Sequence, residues 1–361
     1  MNTNPFAALD EDKKEEEEVA VEVVQKYAYV MLVMGGKKYI PGAIACATSI
    51  RKSGTNADIV CLVNGVNDDH IRFLETVFTK VVQIPLLTFA TKELGEKQAS
   101  MYPWNSIAYT KWQSLTLIEY DKVLFIDADT IVLESLDHIF ELKCPAATFS
   151  SPWAKQFDKN GEFDISYQAV AHGQPIMPEE ILEAFESRGY AFIASLVLLE
   201  PSMKVYDELI NMVKSMEPFG FDMCSTADEQ SLAYYYAKAG TQWSHIHPRY
   251  NFIIHKPKWI KKQVPHMLHY FKSTKPWMIG IDEDGDDIEQ LWFDTPWNTD
   301  NIWWFYFKCW ITSTKVSKED LSKILDFKRL DEIYECDDFD FKLTGIDRKY
   351  FPWIRKIQWP R

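Results

Sequence analysis

No Cys-x-x-Cys pair, no apolar run long enough to cross a bilayer, no internal repeat and no excess of positive charge occur in these 361 residues. The six cysteines (Cys46, Cys61, Cys144, Cys224, Cys309 and Cys336) are scattered, several of them inside apolar runs. That pattern excludes a zinc-type cluster and reads as reduced core thiols. Without an apolar opening segment or a stretch approaching ~20 apolar residues, neither a secretory leader nor a membrane span is expected, and the protein is assigned to the cytoplasm, or a host's cytoplasm if viral. Asp and Glu outnumber Lys and Arg by 53 to 39, for a formal net charge of -14. Such a surface repels a nucleic-acid backbone or an anionic membrane, so neither is the expected main partner. An anionic ligand would need a locally positive pocket. Lacking a repeat, the chain is long enough for one large α/β domain with additions or for two modest ones.

What is present begins with an acidic opening. Asp10 to Glu18 supplies part of the charge excess, and residues 1–25 read as a solvated, disordered tail. Hydrophobic residues make up 47% of the chain, enough for a sizeable core. Aromatics reach 14%, with 13 Trp, and crowd the second half around Pro296 to Trp310. They suit a deep cleft, although core packing accounts for most of them.

Tyr27 to Met34 is a continuous apolar run ending at Gly35-Gly36, the pattern of a buried parallel strand feeding a turn. A helix opened by Pro41-Gly42 and ended by Ser53-Gly54 follows. Ala57 to Val63 predicts a second strand, Asp68 to Phe78 a second helix with Ile71, Leu74 and Val77 on one side, and Lys80 to Ile84 a third strand. This β-α-β-α-β alternation predicts a parallel sheet wrapped by helices, a nucleotide-binding architecture. Pro85 to Pro103 lacks a period and reads as an excursion. Ile107 to Tyr120 reads as a helix leading into the strand Lys122 to Ile126. Tyr190 to Glu200 is another buried strand closed by Pro201, and helices are expected over Met203 to Met216 and Asp228 to Ala239. Beyond Ile288 the pattern loosens into an aromatic, then charged, α-rich appendage.

Asp127 and Asp129 flank one residue directly after Val123-Leu124-Phe125-Ile126. A strand holds the first carboxylate at the carboxyl edge of the sheet, where ligands bind in open α/β proteins, and the turn lets the second face the same cleft. Two adjacent carboxylates repel unless a cation lies between them, which points to a divalent metal. An arbitrary Asp-x-Asp more often caps a helix or solvates a turn. Here an apolar strand precedes the pair, and Thr130-Ile131-Val132-Leu133 resumes apolar character after it.

The segment Val123 to Leu133, VLFIDADTIVL, resembles the metal-binding DxD segment of glycosyltransferase family 8, the glycogenin-like and galactinol-synthase-like enzymes. Tyr39-Ile-Pro-Gly-Ala resembles that family's first helix start, Thr110-Lys111-Trp112 its lysine-bearing helix, and His269 to Trp277, HYFKSTKPW, its carboxy-terminal metal and phosphate motif. The segments come in family order over about Tyr27 to Trp277. The resemblance implies a GT-A fold: a Rossmann-like, mixed but mostly parallel sheet flanked by helices, with residues 26–287 as the transferase domain and 288–361 as an α-rich extension.

It further implies that Asp127, Asp129 and His269 hold Mn²⁺, with Mg²⁺ as substitute, a donor set that suits a borderline divalent ion. Lys275 and Lys111 would contact the donor diphosphate, Ala128 lies between the two carboxylates on the donor side, and Tyr39 with the strand end from Val33 to Gly35 would meet the nucleobase. The implied donor is a UDP-linked hexose, glucose ahead of galactose. The implied chemistry retains anomeric configuration through an oxocarbenium-like centre that Glu229 or Asp228, beside Gln230, would stabilise or position. The chain departs from the family at Ile193-Ala194-Ser195, where an Asn-Ser-Gly or Asn-Ala-Gly turn is common: the amide near the sugar is lost and Ser195 substitutes in part.

The acceptor is open among polyol, glycan, lipid and protein, and a homodimer is also left open. Tyr102 raises self-glycosylation. Two rival readings are a catalytically degenerate sugar-nucleotide binder, favoured by the missing amide, and a haloacid-dehalogenase-like phosphatase, whose DxD strand ordinarily comes first in the domain. The loop Asp282 to Asp287 fails calcium-loop spacing and reads as solvated surface.

Overall fold

A computed structural model describes residues 25–89, 105–149, 171–188, 192–215, 227–254, 264–271, 275–278 and 300–325. The acidic opening, most of the 85–103 excursion with Tyr102, the Asp282 to Asp287 loop, Cys224 and Cys336 lie outside the described residues.

The amino-terminal alternation forms as the apolar runs dictate: β1 (Tyr27–Met34), α1 (Ile40–Lys52), β2 (Asp58–Asn64), α2 (Asp68–Glu75) and β3 (Lys80–Gln83). Asn67 caps α2, its side chain accepting from the His70 N–H at 2.9 Å. Both glycines after β1 adopt positive φ, +73° at Gly35 and +94° at Gly36, which a glycine accepts without a Cβ penalty. Instead of one helix over Ile107 to Tyr120, the chain forms a short α3 (Asn105–Ala108) and a 3₁₀ segment, Tyr109–Thr116. Tertiary anchors compete with helix propagation there: the Thr110 hydroxyl accepts from Leu87 N at 3.1 Å, and Tyr109 packs edge-on against Phe89. The tighter winding eclipses residues three apart.

Next come β4 (Lys122–Ile126), β5 (Thr130–Val132), β6 (Ala146–Phe149), β7 (Pro175–Ile176), α4 (Pro178–Arg188), β8 (Phe192–Leu199), α5 (Met203–Ser215), α6 (Ala227–Lys238), β9 (Trp243–His245), β10 (Phe252–Ile253), β11 (Met267–His269), α7 (Asp300–Thr314) and α8 (Lys318–Ile324). The main sheet runs β3-β2-β1-β4-β8-β6-β9-β7. Its first four strands are mutually parallel, whereas β8 is antiparallel to both β4 and β6. This is the mixed, mostly parallel arrangement expected of a GT-A fold. A small sheet, β10-β11-β5, stands beside it.

Because strand side chains alternate faces, β1 feeds two cores. Tyr29, Met31 and Val33 pack with α1 and α7, while Ala28 and Val30 pack with Trp112, Leu209 and Leu232. Every residue of α1 from Ile40 to Ile50 is buried. The helix is covered on nearly all sides, which explains its run of Gly and Ala. Where the parallel block meets antiparallel β8, the chain leaves β4, turns through Asp127-Ala128-Asp129 and enters the small sheet as β5. The two aspartates therefore occupy the joint between the sheets.

Candidate functional site

Asp127 follows the last residue of β4, and its N–H donates to Ser195 O at 3.0 Å, fixing it against β8. Directly after Asp129, Thr130 pairs with His269 across the antiparallel β5-β11 ladder, and Asp129 O accepts from Tyr270 N at 2.9 Å. One ladder thus brings a carboxylate and an imidazole, 140 residues apart in sequence, onto one face. Ligand atoms of Asp127, Asp129 and His269 all lie within 4.8 Å of one another.

Each aspartate has its own lysine. Lys275 Nζ donates to Asp129 Oδ2 at 2.6 Å and to Tyr270 O at 2.9 Å, and Lys111 Nζ lies 2.9 Å from Asp127 Oδ1. Lys275 and Asp129 are both buried, at 6% and 7% exposure, so their pairing matters far more than a surface pair would. Burial alone would raise the Asp129 pKa, but His269 and Lys275 outweigh it and hold the carboxyl well below the usual range. Burial alone would lower the Lys111 pKa, but Asp127, Asp228 and Glu229 outweigh it and hold the amine well above its ordinary value. Asp228, at the start of α6, is buried with Oδ1 lacking a hydrogen-bond partner. Burial first, then Asp127, raises its pKa against the pull of Lys111.

Tyr39 stands immediately before α1. Burial, then Asp129 and Asp127, pushes its phenol pKa far up, and Lys275 Nζ lies 6.0 Å from its ring centroid. The structure thus gathers Tyr39, Lys111, Asp127, Asp129, His269 and Lys275, with Asp228 and Glu229 close enough to act electrostatically on Lys111. Val33 and Gly35 lie at the end of β1, but the Val33 side chain is committed to the core, leaving only backbone to a ligand. Gln230 is fully buried in the first turn of α6.

Two contacts carried no signal in the sequence. Asn251 donates from Nδ2 to Ser195 Oγ at 2.6 Å, while its Oδ1 has no partner. A carboxamide therefore arrives from the stretch before β10 at the serine that ends the departing Ile193-Ala194-Ser195 turn. Gly42 sits beneath the carboxylate turn: a Cβ there would lie 2.7 Å from Ala128 O and 2.5 Å from Trp277 Cη2. Neither is deducible from spacing, because each matters through a contact with a distant segment.

A divalent cation fits this donor set. Both ring nitrogens of His269 are buried without a hydrogen bond, Nε2 lying 3.4 Å from Asp129 Oδ1. Buried polar atoms are ordinarily paired, so an imidazole left this way beside two carboxylates has the character of a ligand.

The family model for glycosyl transferase family 8 matches residues 31–279. An uncharacterized protein of Acanthamoeba polyphaga mimivirus is 25% identical over 287 residues, covering 78% of this chain and 93% of its own length. Galactinol synthase 2 of Arabidopsis thaliana is 25% identical over 286 residues, covering 75% and 81%. Among solved structures, the galactosyltransferase LgtC in complex with donor and acceptor sugar analogs superposes with a TM-score of 0.46 at 14% identity, covering 82% of this chain and 99% of that one. The family match sets the phosphatase reading aside.

Proposed function

Since the chain belongs to glycosyltransferase family 8, and so is a hexosyltransferase using a nucleotide-diphosphate sugar, we propose that its donor is a UDP-hexose, glucose first, and that Mn²⁺ assists transfer with retention of configuration. The observation that carries this reading is the cluster of Asp127, Asp129 and His269 flanked by two lysine ammonium groups. Mn²⁺ suits two carboxylates and an imidazole better than Mg²⁺, which favours oxygen alone. Held by these three residues, the ion would neutralise charge building on the departing diphosphate.

The chain's own residues supply the rest. Lys275 and Lys111 are fixed point charges in an otherwise acidic protein, placed to take the diphosphate oxygens. Tyr39 and the backbone at Val33 to Gly35 receive the base. Asp228, buried beside Lys111 with Oδ1 unpaired, hydrogen-bonds a hydroxyl of the sugar. Glu229 is then the carboxylate that faces positive charge at the anomeric centre, with Gln230 beside it. Asn251 and Ser195 together stand in for the amide expected in the β8 turn, which favours turnover over mere binding.

The test combines thermal stability with UDP release across a panel of UDP- and GDP-sugars, with and without Mn²⁺. A metal-dependent shift with one UDP-sugar plus slow UDP release is expected. Stabilisation without release, even with varied acceptors, would make the protein a sugar-nucleotide binder.

A further inference from the structure

The family match ends at residue 279, yet α7, beginning at Asp300, reaches back to the turn that carries Lys275. Pro276–Met278 forms a single 3₁₀ turn, closed by Met278 N donating to Lys275 O at 2.9 Å. Trp304 Nε1 donates to Pro276 O at 3.1 Å, and the Trp303 ring lies against Trp277, centroids 5.3 Å apart. Both tryptophans are fully buried. Trp277 passes the constraint onward: its Nε1 donates to Lys38 O at 2.8 Å, its ring meets Tyr39 edge-on at 5.8 Å, and it closes over Gly42. Lys275 is thus the residue immediately before a turn gripped from one side by α7 and from the other by the start of α1.

We propose that α7 is a positioning element for the donor site: Trp304 and Trp303 fix the Pro276-Trp277 turn and thereby the reach of Lys275 toward a nucleoside diphosphate. This rests on the reading of Lys275 as a diphosphate contact. Trp304, fully buried, acts through that turn. Its N–H satisfies a buried proline carbonyl, and without it that carbonyl gains by rotating the turn toward another donor. A lysine held by its backbone loses affinity when that backbone turns, although the fold survives.

The same helix contains its own control. About two turns further along, Trp310 Nε1 donates to Thr76 Oγ1, just past α2, at 2.7 Å. Trp310→Phe and Trp304→Phe each delete one indole N–H from α7 and should lower the melting temperature comparably.

The experiment is calorimetric titration of UDP in Mn²⁺ into wild type, Trp304→Phe, Trp310→Phe, Lys275→Ala and the Lys275→Ala/Trp304→Phe double variant. Trp304→Phe should weaken UDP about five- to tenfold and Trp310→Phe less than about twofold. In the Lys275→Ala background Trp304→Phe should cause no further loss, because a residue acting through Lys275 has nothing left to position. Equal weakening by both tryptophan variants, or an additive loss in the double variant, overturns the proposal. Unchanged affinity in Lys275→Ala sinks the diphosphate assignment itself; a loss there with none in Trp304→Phe sinks only the role of α7. If Trp304→Phe does not fold, Trp303→Leu, which removes the ring from Trp277 while keeping apolar bulk, takes its place with the same expected direction.

Discussion

Gly42→Ala tests how tightly the carboxylate turn is seated. In an exposed helix interior this change stabilises by about 1 kcal/mol, because alanine loses less backbone entropy. Gly42 lies in the first turn of α1 with no positive φ, so that gain is an upper bound. Against it stands the added methyl, 2.5 Å from Trp277 Cη2 and 2.7 Å from Ala128 O. The indole is itself pinned by Trp303 and by its bond to Lys38 O, and the oxygen belongs to the residue between the two aspartates. Restoring ordinary contact opens those gaps by about 0.7–0.9 Å, which, shared between the helix and its neighbours, moves the turn by about half an ångström, an overpacking cost of roughly 1–3 kcal/mol. The sign therefore inverts, to a net loss of up to ~2 kcal/mol. Displacing the carboxylates by that distance should lower kcat/KM for the donor roughly tenfold, given that ~1 Å costs about a hundredfold. Thermal denaturation and steady-state UDP release read the two effects. A variant with a raised melting temperature and wild-type kcat/KM would refute the reasoning, showing that the turn yields freely to the helix beneath it.

Asp129→Asn removes the charge beside buried Lys275 and should abolish Mn²⁺-dependent turnover. The stability cost is about 3–5 kcal/mol, because the buried Lys275 ammonium loses its counter-charge even though the amide oxygen still accepts from it; unchanged Mn²⁺ affinity by calorimetry removes the metal role. Glu229→Gln should cut kcat by ~10²-fold, as expected for loss of transition-state charge stabilisation, whereas Asp228→Asn should act chiefly on donor KM. Equal, modest effects in steady-state kinetics would mean that neither is the key carboxylate.

A pH effect follows from histidines outside this site. Burial, aided by neighbouring histidines and Arg249, lowers the pKa of His172 to about 4 and of His266 to about 3. Burial with His247 and His172 lowers that of His245 to about 3. Below the free imidazole pKa near ~6.5 the unfolded chain takes up protons that the folded chain refuses. Stability is therefore full above that pH and falls progressively toward pH 3–4. For His245, 1% exposed, the loss at pH 5 is on the order of 2 kcal/mol. Urea denaturation at pH 7.5 and 5 should show it, and His245→Asn should flatten the slope; an unchanged slope in the variant would contradict this origin.

By itself the sequence determined the elements whose signals are local. Apolar runs of strand length placed β1, β2, β4 and β8 to within a residue or two, since a strand buried on both faces needs nothing but apolar side chains. The apolar strand before Asp127 identified the sheet edge, and the ordered motifs identified the family and named Asp127, Asp129 and His269, which the fold brings together. Where tertiary contacts outbid local preference, the reading fell short: the helix over Ile107 to Tyr120 became a 3₁₀ segment because Thr110 is tied to Leu87. Tertiary structure alone decided that β5 leaves the main sheet to pair with β11, the step that delivers His269 to Asp129. It alone decided that Asn251 reaches Ser195, that Gly42 underlies Ala128, and that α7 grips the Lys275 turn. Those facts are contacts between segments dozens to hundreds of residues apart, and the period and composition of a segment report which face it buries, not what it is buried against.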